Sequence, residues 1–142
     1  MKSTALLIDT NVVLDWILQR EPFRTDSEKI INLCIQGEVQ GYLACHTILN
    51  MFYILRKERS IAERKEILLM LCNNLNIIGI NNKMLISVLC SDDLRDIEDD
   101  MQIQCAVDNN LDYIVTRDIS DFKKSSVQIL SPKEFLLHLG KA

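Results

Sequence analysis

This sequence predicts a three-layer α/β/α fold built on a central parallel sheet of about five short strands. Two observations carry that prediction. Near-continuously apolar runs recur at 5–9, 41–44, 77–80, 113–116 and 127–130, and strands without polar alternation are those buried on both faces. Segments with helical patterning separate each run from the next, as the crossovers of a parallel sheet require.

The elements follow in order. The first run, Ala-Leu-Leu-Ile, closes on Asp9 and passes through Thr10-Asn11 into a helix over 11–20. Thr25-x-x-Glu28 has the form of a capping box and predicts a helix over 26–36. The second strand, 41–44, leads into a helix over 46–58, and Ser60-x-x-Glu63 opens another over 61–73. The third strand, 77–80, precedes a helix over 82–90. A helix over 95–110 begins in the acidic stretch Asp96-Ile97-Glu98-Asp99-Asp100 and returns to the fourth strand, 113–116. After the fifth strand, Ser131-Pro132-x-Glu134 caps a helix over 132–140, with Pro132 at the first helical position, where a missing N–H costs nothing.

Composition limits the function classes. The 142 residues carry 20 acidic and 16 basic side chains, a net charge of −4, which excludes nucleic-acid binding by bulk positive charge. With 48% hydrophobic residues, 4 Gly and 2 Pro, a single domain over 1–142 with its own core is expected. No apolar stretch approaches a membrane span or a signal segment, so a cytoplasmic location with no membrane contact is expected. The five cysteines, 34, 45, 72, 90 and 105, lack a Cys-x-x-Cys spacing and read as small core residues.

Ligands of open parallel sheets gather beyond the carboxyl ends of the strands. Asp9 stands there after the first strand, Asp118 and Asp121 after the fourth, and the 96–100 cluster just before the fourth. Each also has an ordinary structural role: Asp9 as a helix cap, 96–100 as an acidic first turn, 118 and 121 as turn residues. Convergence weighs against that sum of separate roles, because crowded carboxylates repel unless a cation neutralises them. Asp99 falls on the helix side of Ile103, Ala106 and Val107 and therefore faces inward. Hard oxygen ligands suit Mg²⁺ or Mn²⁺, and such a site suits phosphodiester hydrolysis without a protein nucleophile. His46 and His138 stand alone in helical contexts and read as structural or exposed.

Three stretches taken together resemble the PIN domain family of VapC-like ribonucleases. They are Leu7-Ile8-Asp9-Thr10-Asn11, then Asp96-Ile97-Glu98-Asp99-Asp100-Met101-Gln102 followed by Ala106, and finally Tyr113-Ile114-Val115-Thr116-Arg117-Asp118-x-x-Asp121-Phe122. The resemblance spans essentially the whole chain. It implies a PIN-like fold, endoribonuclease activity and a Mg²⁺ or Mn²⁺ cofactor. It also implies a metal site of Asp9, Asp99 and Asp118, with Asp121 and Asp96 as further candidates, and catalytic roles for the first three. Thr10 and Asn11 match the polar pair that supports the first acid. One position departs: Asn50 stands where the family usually carries a glutamate, which predicts weaker Mg²⁺ binding or compensation by Asp96 or Glu98.

Candidate RNA contacts are Asn11, Asn50, Arg117 and Lys123, with Lys124 beside them. Arg56, Lys57, Arg59, Arg64 and Lys65 form either a wall of an RNA groove or a solvated face with an Arg59–Glu63 pair. The apolar run Phe52 to Leu55 is expected in the core. The resemblance further implies a homodimer and, as in many relatives, a small antitoxin protein that blocks the acids. Two alternatives remain. A PIN-fold module could bind RNA or protein without cutting, having Asn50 in place of the glutamate. A phosphoacceptor receiver domain would need an acidic pair after the first strand and a lysine after the fifth, and has neither here.

Overall fold

The computed structural model describes residues 3–140. At its centre lies β1 (Ala5–Ile8), four apolar residues that are all buried. Burial on both faces demands a neighbour on each edge. β2 (Gln40–Ala44) and β4 (Tyr113–Val115) supply them, with β3 (Asn76–Ile78) beyond β2 and β5 (Gln128–Leu130) beyond β4. Every pairing is parallel, and the order is β3-β2-β1-β4-β5.

Parallel neighbours cannot be joined by tight turns. α-Helices carry the crossovers as far as β4: α1 (Thr10–Ile17), α2 (Arg24–Ile35), α3 (Cys45–Ile54), α4 (Ile61–Asn74), α5 (Asn82–Leu89) and α6 (Ile97–Asp108); a 3₁₀ turn, Ile119–Phe122, lies between β4 and β5, and α7 (Pro132–His138) follows β5. Alternate side chains of the strands divide between two cores. Leu6 and Ile8, with Leu43 and Val115, pack against α1, α2, α3, α4 and α7 through Val13, Ile30, Met51, Leu71 and Phe135. Ala5 and Leu7, with Ile78 and Ile114, pack against α5 and α6 through Met84, Met101, Cys105 and Ala106, with Phe122 closing the edge. The expected three-layer fold is therefore what forms.

Local signals were obeyed unevenly. Ser60 and Ser131 each accept from the backbone N–H three residues on, and Glu63 and Glu134 accept from the caps in return, so both capping boxes exist. The box expected at Thr25 does not: α2 starts two residues earlier, is capped by Phe23 and has no side-chain cap bond. The helix expected over 46–58 ends at Ile54 and tightens into a 3₁₀ turn, Leu55–Lys57. There Arg64 donates to the Phe52 carbonyl at 2.7 Å and Arg56 to that of Tyr53 at 3.0 Å, satisfying carbonyls an α-helix end leaves open.

Gly41 in β2 is required by close packing, since a Cβ there would stand 2.5 Å from Cys34 Sγ. Cys34 and Cys105 are core residues, but Cys72 and Cys90 are exposed, against expectation; all five are free. Of the Phe52–Leu55 run only Leu55 is buried, and the other three are exposed. Among the described residues no helix is long and apolar enough to cross a membrane.

Candidate active site

The strand order reverses about β1 and β4, opening a crevice at their carboxyl ends. Ile8 is in register with Val115, so Asp9 and Thr116 leave the sheet side by side. The Asp9 N–H donates to the Val115 carbonyl at 2.9 Å, and Thr116 Oγ1 donates to Asp9 Oδ2 at 2.7 Å. Asp9 Oδ1 accepts from the Thr10 N–H at 2.7 Å and from Gln102 Nε2 at 2.8 Å. The cap role read from sequence thus holds, but it uses one bond of three. A carboxylate offers about four acceptor positions, so the open one lies on Oδ2. Burial raises the Asp9 pKa; the three hydrogen bonds oppose the rise, and the Asp118 charge adds to it.

Asp118 is held by Asn11, whose Nδ2 donates to its Oδ2 at 2.8 Å, and by its own N–H, which donates to Thr116 Oγ1 at 3.0 Å. Asp99, in the first turn of α6, faces the same cleft. Its pKa is pushed up to about 7, first by burial and then by Asp96, Asp9, Asp121 and Asp100. Asp9, Asn11, Asn50, Asp99 and Asp118 line one cleft, together with His46, Glu98 and Gln102. Asp96, Asp121 and Lys123 line an adjoining hollow that shares Asp99 with it. Of the acidic stretch, Asp96 is the α6 cap, Asp99 faces the cleft, and Asp100 turns to Lys124, whose Nζ lies 2.6 Å from its Oδ2. Lys124 is therefore committed to Asp100.

Among the described residues no three His, Cys, Asp or Glu side chains converge as a finished metal cage. The cleft does hold carboxylates from three chain regions and two buried carbonyl oxygens, Asn11 Oδ1 and Gln102 Oε1, with no hydrogen-bond partner. Unsatisfied hard oxygens beside uncompensated negative charge are the donor set that Mg²⁺ or Mn²⁺ takes. The residues present fit such an ion.

Several expectations need correction. Arg117 is not in the cleft: its Nε donates to Asp15 Oδ2 at 2.6 Å, and its guanidinium carbon lies 4.0 Å from the centre of the Phe23 ring. A wholly buried carboxylate at Asp15 pairs with that charge, so Arg117 is turned to the fold's interior and not into the cleft. Val107 is exposed; the inward stripe of α6 runs through Met101, Gln102, Cys105 and Ala106. In the basic segment Arg56, Arg59 and Arg64 are engaged with backbone carbonyls, the second with that of Ile17, and no Arg59–Glu63 ion pair forms. Lys57 and Lys65 stay exposed.

Sequence reasoning also missed cleft residues. Gln102 lies three positions after Asp99, one helical turn on the same face, a spacing that could have placed it. His46 precedes Asn50 by four positions and shares its face; its Nε2 lies 3.1 Å from the Glu98 carbonyl, and burial lowers its pKa against the pull of that carbonyl and of Glu98, Asp9 and Asp96. Thr116 carried no signal beyond its place at a strand end.

The chain shares its fold with several solved toxin–antitoxin proteins. A toxin–antitoxin complex from Klebsiella pneumoniae matches with a TM-score of 0.66 and 18% identity, over 89% of this chain and 97% of that one. VapBC-1 from nontypeable Haemophilus influenzae matches at 0.67 and 12% identity, over 92% and 99%. The sarcin-ricin loop cleaving toxin VapC20 from Mycobacterium tuberculosis matches at 0.60 and 8% identity, over 77% and 86%. No curated protein matches the sequence. The PIN domain profile matches residues 5–120. Over most of its length, and with acids from three chain regions meeting at the reversal point of its sheet, this chain belongs to the PIN domain family.

Proposed function

We propose that this protein is a Mg²⁺- or Mn²⁺-dependent endoribonuclease of the VapC-like toxin type, acting on RNA in the cytoplasm. The observation that carries the reading is the state of Asp99, which shares one cleft with Asp9 and Asp118 and is held near pKa 7 by burial and by its acidic neighbours. Such crowding is unfavourable without a counter-ion. Asp9, Asp99 and Asp118 would hold the cation, with Asp121 and Asp96 at the outer edge. Such an ion would supply positive charge at the scissile phosphate and would lower the pKa of a coordinated water. Asn11 and Asn50 would hydrogen-bond the RNA strand in the cleft, and exposed Lys123 would meet its phosphates.

A small antitoxin and a second copy of the chain are the proposed partners. Support comes from the structural relatives described as toxin–antitoxin complexes and from the exposed apolar face of α3, where Leu49 and Tyr53 are 67% and 63% accessible. The test is cleavage of a mixed single-stranded RNA pool with Mn²⁺, with EDTA and Asp9→Asn as controls. Cutting that needs both the metal and Asp9 supports the reading. A folded protein that neither cuts nor binds Mn²⁺ would instead be a PIN module without catalysis, with Asn50 as the reason.

A further inference from the structure

The residues that follow β4 are gripped one after another by the start of the chain. Thr116 donates to Asp9, Arg117 to Asp15, and Asp118 accepts from Asn11. Asn11 and Asp15 stand one turn apart on α1, so a single helical face holds two consecutive loop residues. The three grips differ in strength. Asp118 is exposed, and its bond to Asn11 is a neutral-donor contact near solvent. At Arg117 the guanidinium forks onto a carboxylate with no exposed surface, Nε to Oδ2 at 2.6 Å and Nη2 to Oδ1 at 3.2 Å. Arg20 Nη1 adds a second cation at 3.7 Å, and the Phe23 ring lies against the Arg117 guanidinium.

A bidentate, charge-assisted pair fixes direction as well as distance. Burying a carboxylate at position 15 gives little net stability over an apolar residue. Its geometric effect is to hold the backbone of residue 117, and so the direction in which the next residue leaves the sheet. We infer that the Asp15–Arg117 pair is a positioning device that aims the Asp118 carboxylate at the cleft it shares with Asp9 and Asp99. The inference rests on the acid-site reading proposed above.

The test compares Arg117→Met, Arg117→Lys and the double change Asp15→Leu with Arg117→Met, in the full chain. Arg117→Met alone leaves a buried charge unpaired and can unfold the protein; the double change removes both charges and keeps the core filled. Two readouts are taken. In metal-free protein the Asn11 side-chain amide and the Asp118 backbone amide are followed by NMR. With Mn²⁺, metal affinity, kcat and KM for RNA are measured.

In the folded double variant both amide signals are expected to shift, with kcat down by about 10²-fold, as for a group misplaced by an ångström. Mn²⁺ affinity is expected to fall as well, while KM stays within about twofold. Arg117→Lys, keeping the charge without the fork, should recover part of each. Unmoved amide signals in the folded double variant would overturn the inference. So would a raised KM with unchanged kcat, which would make Arg117 a phosphate contact. A wild-type protein with neither Mn²⁺ binding nor cleavage would defeat the acid-site reading, and the amide signals would still decide whether the pair aims Asp118.

Discussion

Thr116 and Asp9, 107 positions apart in sequence, are joined by a 2.7 Å hydrogen bond at the point where the sheet reverses. The hydroxyl donates to Asp9 and accepts the Asp118 N–H, so one side chain connects two of the cleft acids. Thr116→Val preserves shape and removes both bonds. A buried acceptor left short of a donor costs about 1–3 kcal/mol, and that loss should appear in urea unfolding of metal-free protein. Mn²⁺ affinity should weaken with it.

Asp99 sets a pH dependence. Its pKa rises from 3.8 in the open chain to about 7 in the fold. Between those values the folded state keeps a proton that the unfolded chain has released, so stability falls as pH rises through that window. Thermal unfolding in EDTA should show a melting temperature that drops from pH 5 to pH 7. Asp99→Asn should flatten the drop, and Mn²⁺ should reverse it in wild-type protein only.

Asn50 lies in the cleft without a charge of its own. Asn50→Glu adds a carboxylate to a site already crowded with them. Metal-free stability should decrease, and Mn²⁺ affinity should rise by about tenfold, a change worth about 1.4 kcal/mol. Isothermal titration measures the affinity. Cleavage that exists only after the substitution would favour the non-catalytic module.

Leu49 and Tyr53 lie one turn apart on the exposed side of α3. Changing both to lysine removes no core contact and should shift stability by about 0.5 kcal/mol or less. If this face holds a second copy, sedimentation velocity should change from dimer to monomer with the fold intact. A dimer that survives the change would move the interface elsewhere.

Gly41 packs its bare backbone on Cys34 and Leu75. Gly41→Ala should destabilise by about 1–3 kcal/mol, the usual effect of overpacking. Adding Cys34→Ala, which removes the sulfur that the new methyl meets, should restore much of the loss in denaturant melts.

The layered fold was legible because β1 is apolar at every position and its neighbours nearly so, a pattern that few other architectures accept. Asp9, Asp99 and Asp118 were legible because each stands at the end of an element whose direction the pattern sets. Gln102 and Thr116 were not, since their importance comes from what lies across the cleft. Arg117 was misread for a similar reason: a cation beside a site acid looks like a phosphate contact until Asp15 is found buried behind it. The Thr25 box failed because a sequence match does not ensure that the hydroxyl stands outside the helix, and here Thr25 is already inside it.

The central place of β1 also bears on when the cleft comes into being. Its partners on one side are made early in synthesis, but β4 and the residues that follow it emerge only after more than a hundred others. A nascent chain therefore holds Asp9 next to an open sheet edge, with neither the Thr116 donor nor the Asp118 carboxylate in place. Whatever the assembled cleft does to RNA, a nascent chain from which those residues have not yet emerged lacks the parts to do it.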